Sequence, residues 1–215
     1  MDRARLVALL RQLDMPLARI AEVLDRARDE QAAALAAYWS AQEESMAARR
    51  KLAGFLIDQL TGKQPTMPEV IIRDVPALTL LTVTENLTAP EVGAFAGPLF
   101  GLFWAESSSD RPFLRYHADV TNDSDGPVEF CCPVTESAAH HPDMTVKSEP
   151  AGREAYLGVT QADLATSLAF EQLRGWLADN QLAPVGLPRQ IFLTNPDTAA
   201  ADDIVFEIAI PVHDV

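Results

Sequence analysis

The feature that most constrains this chain is that its last two thirds run twice through the same order of residue types. Pro76-Ala77 recurs as Pro150-Ala151, Trp104 as Trp176, Pro112 as Pro188 and Tyr116 as Phe192. Glu129-Phe130-Cys131-Cys132-Pro133-Val134 recurs as Glu207-Ile208-Ala209-Ile210-Pro211-Val212, and all these offsets fall between 72 and 78 residues. The order is kept while the offset drifts, as changes in loop length produce. In the first cycle, Val70-Ile71-Ile72 and residues 78–83 are strand-like runs, and residues 90–105 predict a helix containing Phe95, Leu99, Leu102 and Phe103. Residues 113–117 and 128–132 predict two more strands. The second cycle predicts strands near 144–148 and 153–160, a helix near 161–180, and strands near 188–194 and 204–212. Each half is therefore strand–strand–helix–strand–strand. Two such halves about a pseudo-twofold axis give one curved antiparallel sheet carrying two helices, with a central groove between the halves suited to a ligand.

The first 63 residues follow a different pattern. Leu6, Leu9, Leu10 and Leu13 mark one helix, and Asp14-Met15-Pro16 ends it, because proline disfavours helix in the residue before it. Leu17, Ile20, Val23 and Leu24 mark a second. Residues 29–61 contain no proline, and Leu35, Trp39, Gln42, Met46, Arg49, Ala53, Leu56 and Leu60 alternate steps of four and three. That is a heptad seam, polar at two positions, which a single helix cannot bury alone. The expectation is a homodimer through helix 29–61. Gly62-Lys63-Gln64-Pro65-Thr66-Met67-Pro68 reads as a linker. The chain is thus an α+β protein with a helical arm at 1–63 and a second domain at 68–215.

Charge divides at the same place. Residues 1–63 hold 10 Lys/Arg and 9 Asp/Glu, whereas 64–215 hold 7 and 22. The acidic second part repels nucleic acid through its field. Cys131 and Cys132 are neighbours on a predicted strand, pointing to opposite faces, so they neither bridge each other nor form a zinc site with His140 and His141. No apolar run is long enough for a membrane span, and the start lacks the apolar core of a secretory signal, which sets the expectation of a cytoplasmic protein. No Gly-rich phosphate loop, nucleophile elbow or zinc-protease motif is present, so no cofactor, metal or catalytic residue is expected.

Three segments carry a resemblance: Pro112-Phe113-Leu114-Arg115-Tyr116-His117, Gly186-Leu187-Pro188-Arg189-Gln190-Ile191-Phe192-Leu193, and Val205-Phe206-Glu207-Ile208-Ala209-Ile210-Pro211-Val212. In this order they resemble the GyrI-like effector-binding family, which includes the drug-binding domains of BmrR-type regulators. Residues 4–62 resemble the connector and dimerising helix of MerR-family transcriptional regulators, without the winged helix-turn-helix that precedes them there. DNA binding would need that missing N-terminal domain. The resemblance implies a sensor of drug-like or metabolite aromatic compounds, neutral or cationic, held in the groove by aromatic rings and a buried acid. Glu207 falls where the family's last strand carries such a glutamate, and Gln190 stands where the preceding strand carries another. That departure removes one negative charge and admits neutral, hydrogen-bonding ligands.

The candidate ligand-binding residues are Glu207, Tyr116, Gln190, Trp104, Trp176, Phe103 and Phe192. Strand alternation turns Glu207 away from Phe206, Ile208 and Ile210, which face the helices, and the groove is expected on the Glu207 side. Tyr116 and Phe192 are repeat mates suited to stacking. Trp104, Phe103 and Trp176 belong to the two repeat helices. The alternatives to a ligand-sensing regulator are a headless protein that sequesters drugs and a GyrI-like hydrolase of electrophilic compounds.

Overall fold

A computed structural model describes residues 2–63, 68–103, 111–135, 141–163, 166–194 and 198–214 (the side chains of 44, 162, 166, 167 and 214 aside). The chain divides into two compact units, Met1–Pro65 and Thr66–Val215.

The first unit holds α1 (Arg3–Gln12), α2 (Leu17–Leu24) and α3 (Arg28–Leu60). Asp14 stops α1 in the left-handed region, at φ 56°. Its N–H donates to the Arg11 carbonyl at 3.0 Å, and the Met15 N–H donates to Leu10 at 3.2 Å. This closes the helix end and brings Met15 back onto Leu10, the apolar contact typical of such a cap. Leu10, Met15, Ile20 and Val23 form a small core against Ala34, Leu35 and Tyr38 at the start of α3. No described side chain of α3 is fully buried. Along the seam, Trp39, Met46, Leu56 and Leu60 are 46%, 53%, 50% and 87% exposed.

The second unit contains the repeat. Its first half is β1 (Val70–Val75), β2 (Leu78–Leu87), α4 (Val92–Phe103), β3 (Phe113–Tyr116) and β4 (Gly126–Val134). Its second is β5 (Thr145–Glu149), β6 (Gly152–Thr160), α5 (Thr166–Asp179), β7 (Leu182–Pro184), β8 (Arg189–Phe192) and β9 (Ile204–Asp214). The strands join one sheet in the order β1-β6-β9-β8-β3-β4-β2-β5, with β7 added to the end of β9. Every pairing is antiparallel. Exchanging β1 with β5, β2 with β6, β3 with β8 and β4 with β9 reverses the order into itself, as a pseudo-twofold requires. The axis runs between β3 and β8, where Leu114 lies opposite its repeat mate Gln190. The two halves trade their first strands: β1 pairs with β6, and β5 with β2. β7 has no repeat mate among the described residues, its counterpart position falling outside them, and it had no forewarning in the sequence pattern.

Both faces of this sheet carry apolar clusters. On one face α4 packs on Leu81, Leu114, Val128 and Phe130, while α5 packs on Leu157, Phe206 and Ile208 through Leu173 and Leu177. The other face carries a smaller apolar cluster of Leu78, Leu80, Phe113, Cys131, Ile191 and Ala209. Among the described residues no helix is long and apolar enough to cross a membrane.

Candidate functional site

The two repeat helices flank the centre of the sheet without covering it. Between them lies a groove of about 1540 Å³, floored by β3, β8 and the start of β9, with α4 on one side and α5 on the other. Strand alternation decides what reaches it. Leu114 and Tyr116 on β3, Gln190 and Phe192 on β8, and Phe206 on β9 point into the groove. Their neighbours Phe113, Arg115, Arg189 and Ile191 point to the opposite face.

Five aromatic rings line the groove: Phe100, Tyr116, Phe170, Phe192 and Phe206. They pack in two groups, Phe100–Phe192–Phe206 and Tyr116–Phe170. Phe100 and Phe192 have ring centroids 4.3 Å apart, Phe192 and Phe206 lie 5.9 Å apart, and Tyr116 meets Phe170 edge-on at 5.7 Å. Such rings offer a large apolar surface with preferred stacking geometry. The helix side of the groove is open: Gly93, Gly97 and Gly101 of α4 face it, and apart from the helix's own backbone and chain neighbours no described atom lies within 4 Å of where a Cβ would sit on any of them.

The polar part of the floor is small. The Tyr116 hydroxyl donates to Gln190 Oε1 at 2.8 Å. Burial raises the Tyr116 pKa, so the phenol stays neutral and is no general base. Gln190 is 7% exposed. Its entry into the floor is fixed by the loop before β8, where Gly186 lies against Pro211. A Cβ there would meet the proline ring at 2.9 Å, so a larger residue must displace the loop. Among the described residues, the charged side chains sit on the rim. Asp119, Glu171, Arg111 and Arg174 line it, and Arg174 pairs with Glu171 at 2.7 Å and Asp119 at 3.8 Å.

Of the residues singled out in the sequence, Tyr116, Gln190 and Phe192 are brought together here. Glu207 is not with them. It lies on the opposite face, where Arg73 Nη2 reaches its Oε2 at 2.7 Å. The alternation that separates Glu207 from Phe206 is present, but the groove opens on the helix side. The far face is filled instead, because the curled sheet brings its edge strands over it. Arg73 also holds Glu154 at 2.8 Å, and Glu149 of β5 pairs with both Arg115 and Arg189 across the sheet. Lys147 meets Glu129 at 2.6 Å, the repeat counterpart of Arg73 with Glu207. Phe103 is buried under α4 against Phe130, and Trp176 packs half-buried on the α5 core; neither lines the groove. Trp104 and His140 lie outside the described residues. Among the described residues no cluster could hold a metal ion.

The sequence reading missed Phe100, Phe170, Phe206 and the three glycines. The glycines carried a usable signal, since they recur at i, i+4 and i+8 in a helix, where each costs about 1 kcal/mol relative to alanine.

By sequence, no family profile and no curated protein matches the chain. Solved structures share its fold. The C-terminal domain of EcmrR matches with a TM-score of 0.57 and 16% identity, over 70% of this chain and all of that one. EcmrR in the EcmrR–DNA complex in EcmrR-RPo matches with a TM-score of 0.57 and 15% identity, over 97% of this chain and 81% of that one. SAV2435 bound to tetraphenylphosphonium matches with a TM-score of 0.50 and 14% identity, over 67% of this chain and 94% of that one. At these identities the likeness is one of fold.

Proposed function

We propose that the chain is the ligand-sensing part of a transcriptional regulator, and that its second unit binds aromatic small molecules in the groove between α4 and α5. The observation that carries this reading is the groove itself. It is open, lined by five aromatic rings, and offers one small polar spot on its floor. Ligand sites are typically apolar clefts with a few placed polar groups. The tetraphenylphosphonium held by SAV2435 supports a ligand rich in aromatic rings. The match of EcmrR, in a complex with DNA, to nearly the whole chain supports a regulatory setting. Binding is favoured over catalysis, because the groove floor presents a neutral phenol and an amide, and the Glu129 carboxylate that meets groove-lining His117 lies on the opposite face, held by Lys147 and Arg115. We further propose that α3 joins two copies through its exposed seam.

The test is a titration of the purified chain with a panel of polycyclic and polyphenyl compounds, followed by calorimetry. Wild type should bind some of them with micromolar affinity. Phe192→Ala should weaken that binding about tenfold, since truncating a buried aromatic anchor typically costs more than 1 kcal/mol. Glu207→Gln should leave it unchanged, because Glu207 faces away. A panel without a binder would remove the sensor reading; loss of binding in Glu207→Gln alone would move the site to the other face.

A further inference from the structure

Within that sensor reading, we propose that the groove selects uncharged aromatic ligands carrying a strong hydrogen-bond acceptor, such as a carbonyl, phosphoryl or N-oxide oxygen, and that Gln190 with Tyr116 reads that acceptor. The inference rests on the groove being a ligand site, and it goes further by naming what the ligand must present.

Its first support is the state of the Gln190 amide. Gln190 is more than nine-tenths buried, lines the groove, and uses its Oε1 to accept from Tyr116. Its Nε2 has no partner among the described residues. Both amide hydrogens therefore remain for a ligand. Reversing the amide does not change the outcome: Nε2 would then donate to the Tyr116 oxygen and free the phenolic O–H. Either way the floor offers at least one N–H or O–H donor, aimed where a bound molecule would exclude water. A ligand that covers this donor without an acceptor leaves it buried and unpaired, which is unfavourable.

The second support is the placement of charge. Among the described residues no carboxylate reaches the floor. The buried acids of the unit, Glu129 and Glu154, and the nearly buried Glu207 lie on the opposite face, each paired with Lys147, Arg73 or both Arg73 and Arg189. The four charged side chains on the rim are two acids and two arginines, and their charges cancel. A cation on the groove floor would meet ring faces but, among the described residues, no counter-ion within the floor itself. Cation–π attraction offsets desolvation only in part when no anion shares the site. The net acidity of the unit acts at long range and is screened within about 8 Å at physiological salt, so it does not replace a contact.

Two probes of similar aromatic bulk separate the possibilities: triphenylphosphine oxide, neutral with a phosphoryl acceptor, and tetraphenylphosphonium, a cation without one. Wild type should bind the oxide at least tenfold more tightly, the equivalent of about 1.4 kcal/mol. Gln190→Met keeps the volume and removes the donor, and should weaken the oxide about tenfold while sparing the cation. Gln190→Glu keeps the bond from Tyr116 and adds a charge, and should reverse the preference. Melting curves of each variant report that the unit is folded. Tighter binding of the cation by wild type, or an oxide affinity untouched by Gln190→Met, would overturn the inference and leave the sensor reading standing. Absence of binding for both probes and for the wider panel would remove the sensor reading as well.

Discussion

At the scale of single residues, the most consequential side chain outside the groove is Glu129. It is completely buried in the middle of β4. Lys147 reaches it at 2.6 Å, His117 at 3.0 Å and Arg115 at 3.4 Å. Burial alone would push its carboxyl up, but the hydrogen bonds from Lys147 and His117 and the charge of Arg115 outweigh it and hold the pKa below the ordinary 4.5. A folded-state pKa below the unfolded one contributes stability that is present above the unfolded value. It is lost as pH falls through the folded value. The second unit should therefore lose stability as pH drops below about 4.5 in a way that Glu129→Gln abolishes. The variant should also cost roughly 3 kcal/mol at neutral pH, the low end for breaking a buried pair, since Lys147 is half-exposed and Arg115 keeps Glu149. Urea melts at several pH values measure both effects. An unaltered pH slope in Glu129→Gln would show that another carboxylate governs acid sensitivity. His117 gives this residue a place next to function, because it lines the groove while touching Glu129.

At the scale of elements, α4 is the helix least suited to be one. It contains Gly93, Gly97, Pro98 and Gly101 within twelve residues. Gly97 has a local reason, because a Cβ before proline clashes with the ring in helical geometry. Gly93 and Gly101 have none. Their common property is that they face the groove with nothing described within 4 Å. We expect Gly101→Ala to stabilise the unit by up to about 1 kcal/mol through helix propensity. Gly101→Leu should fold equally well yet reduce ligand affinity by filling the groove. Paired melting and titration experiments separate the two effects, and undiminished affinity in Gly101→Leu would mean the ligand sits elsewhere. This helix also shows what the sequence discloses and what it withholds. The repeat, the strand alternation and the position of every main element were legible, because periodicity is set locally and Tyr116 and Phe192 recur in register. The side of the sheet on which the groove opens was not. Alternation separates Glu207 from Phe206 but leaves both possible as the lining residue. That choice depends on sheet curl and on the salt bridges from Arg73 to Glu154 and Glu207, which join strands far apart in the chain. Phe100 and Phe170 were equally hidden, since an aromatic residue on an amphipathic helix reads as core until the gap between the two helices is seen.

At the scale of the whole molecule, the two units differ in what they leave exposed. The second carries apolar clusters on both faces of its sheet and shows a groove. The first shows a long helix whose apolar seam is open from Trp39 to Leu60. A helix of 33 residues is about 50 Å long. Pairing along most of that length buries an area in the range of a stable interface, about 800 Å² per partner. In the proposed pairing, covering the exposed part of Met46, Leu56 and Leu60 would contribute up to about 1.5–3 kcal/mol for each side chain fully transferred from water. Replacing Met46 and Leu56 by glutamate would place like charges on the seam of both copies, whatever the relative direction of the helices. The double variant should sediment as a monomer at concentrations where wild type is a dimer. Its affinity for groove ligands should be unchanged, because the residues lining the groove all fall between Ala89 and Phe206 in the second unit. If the variant remains dimeric, the seam is not the interface. If it becomes monomeric and also loses ligand, the groove depends on the paired state, and ligand binding and dimerisation are coupled through an equilibrium that each of them shifts.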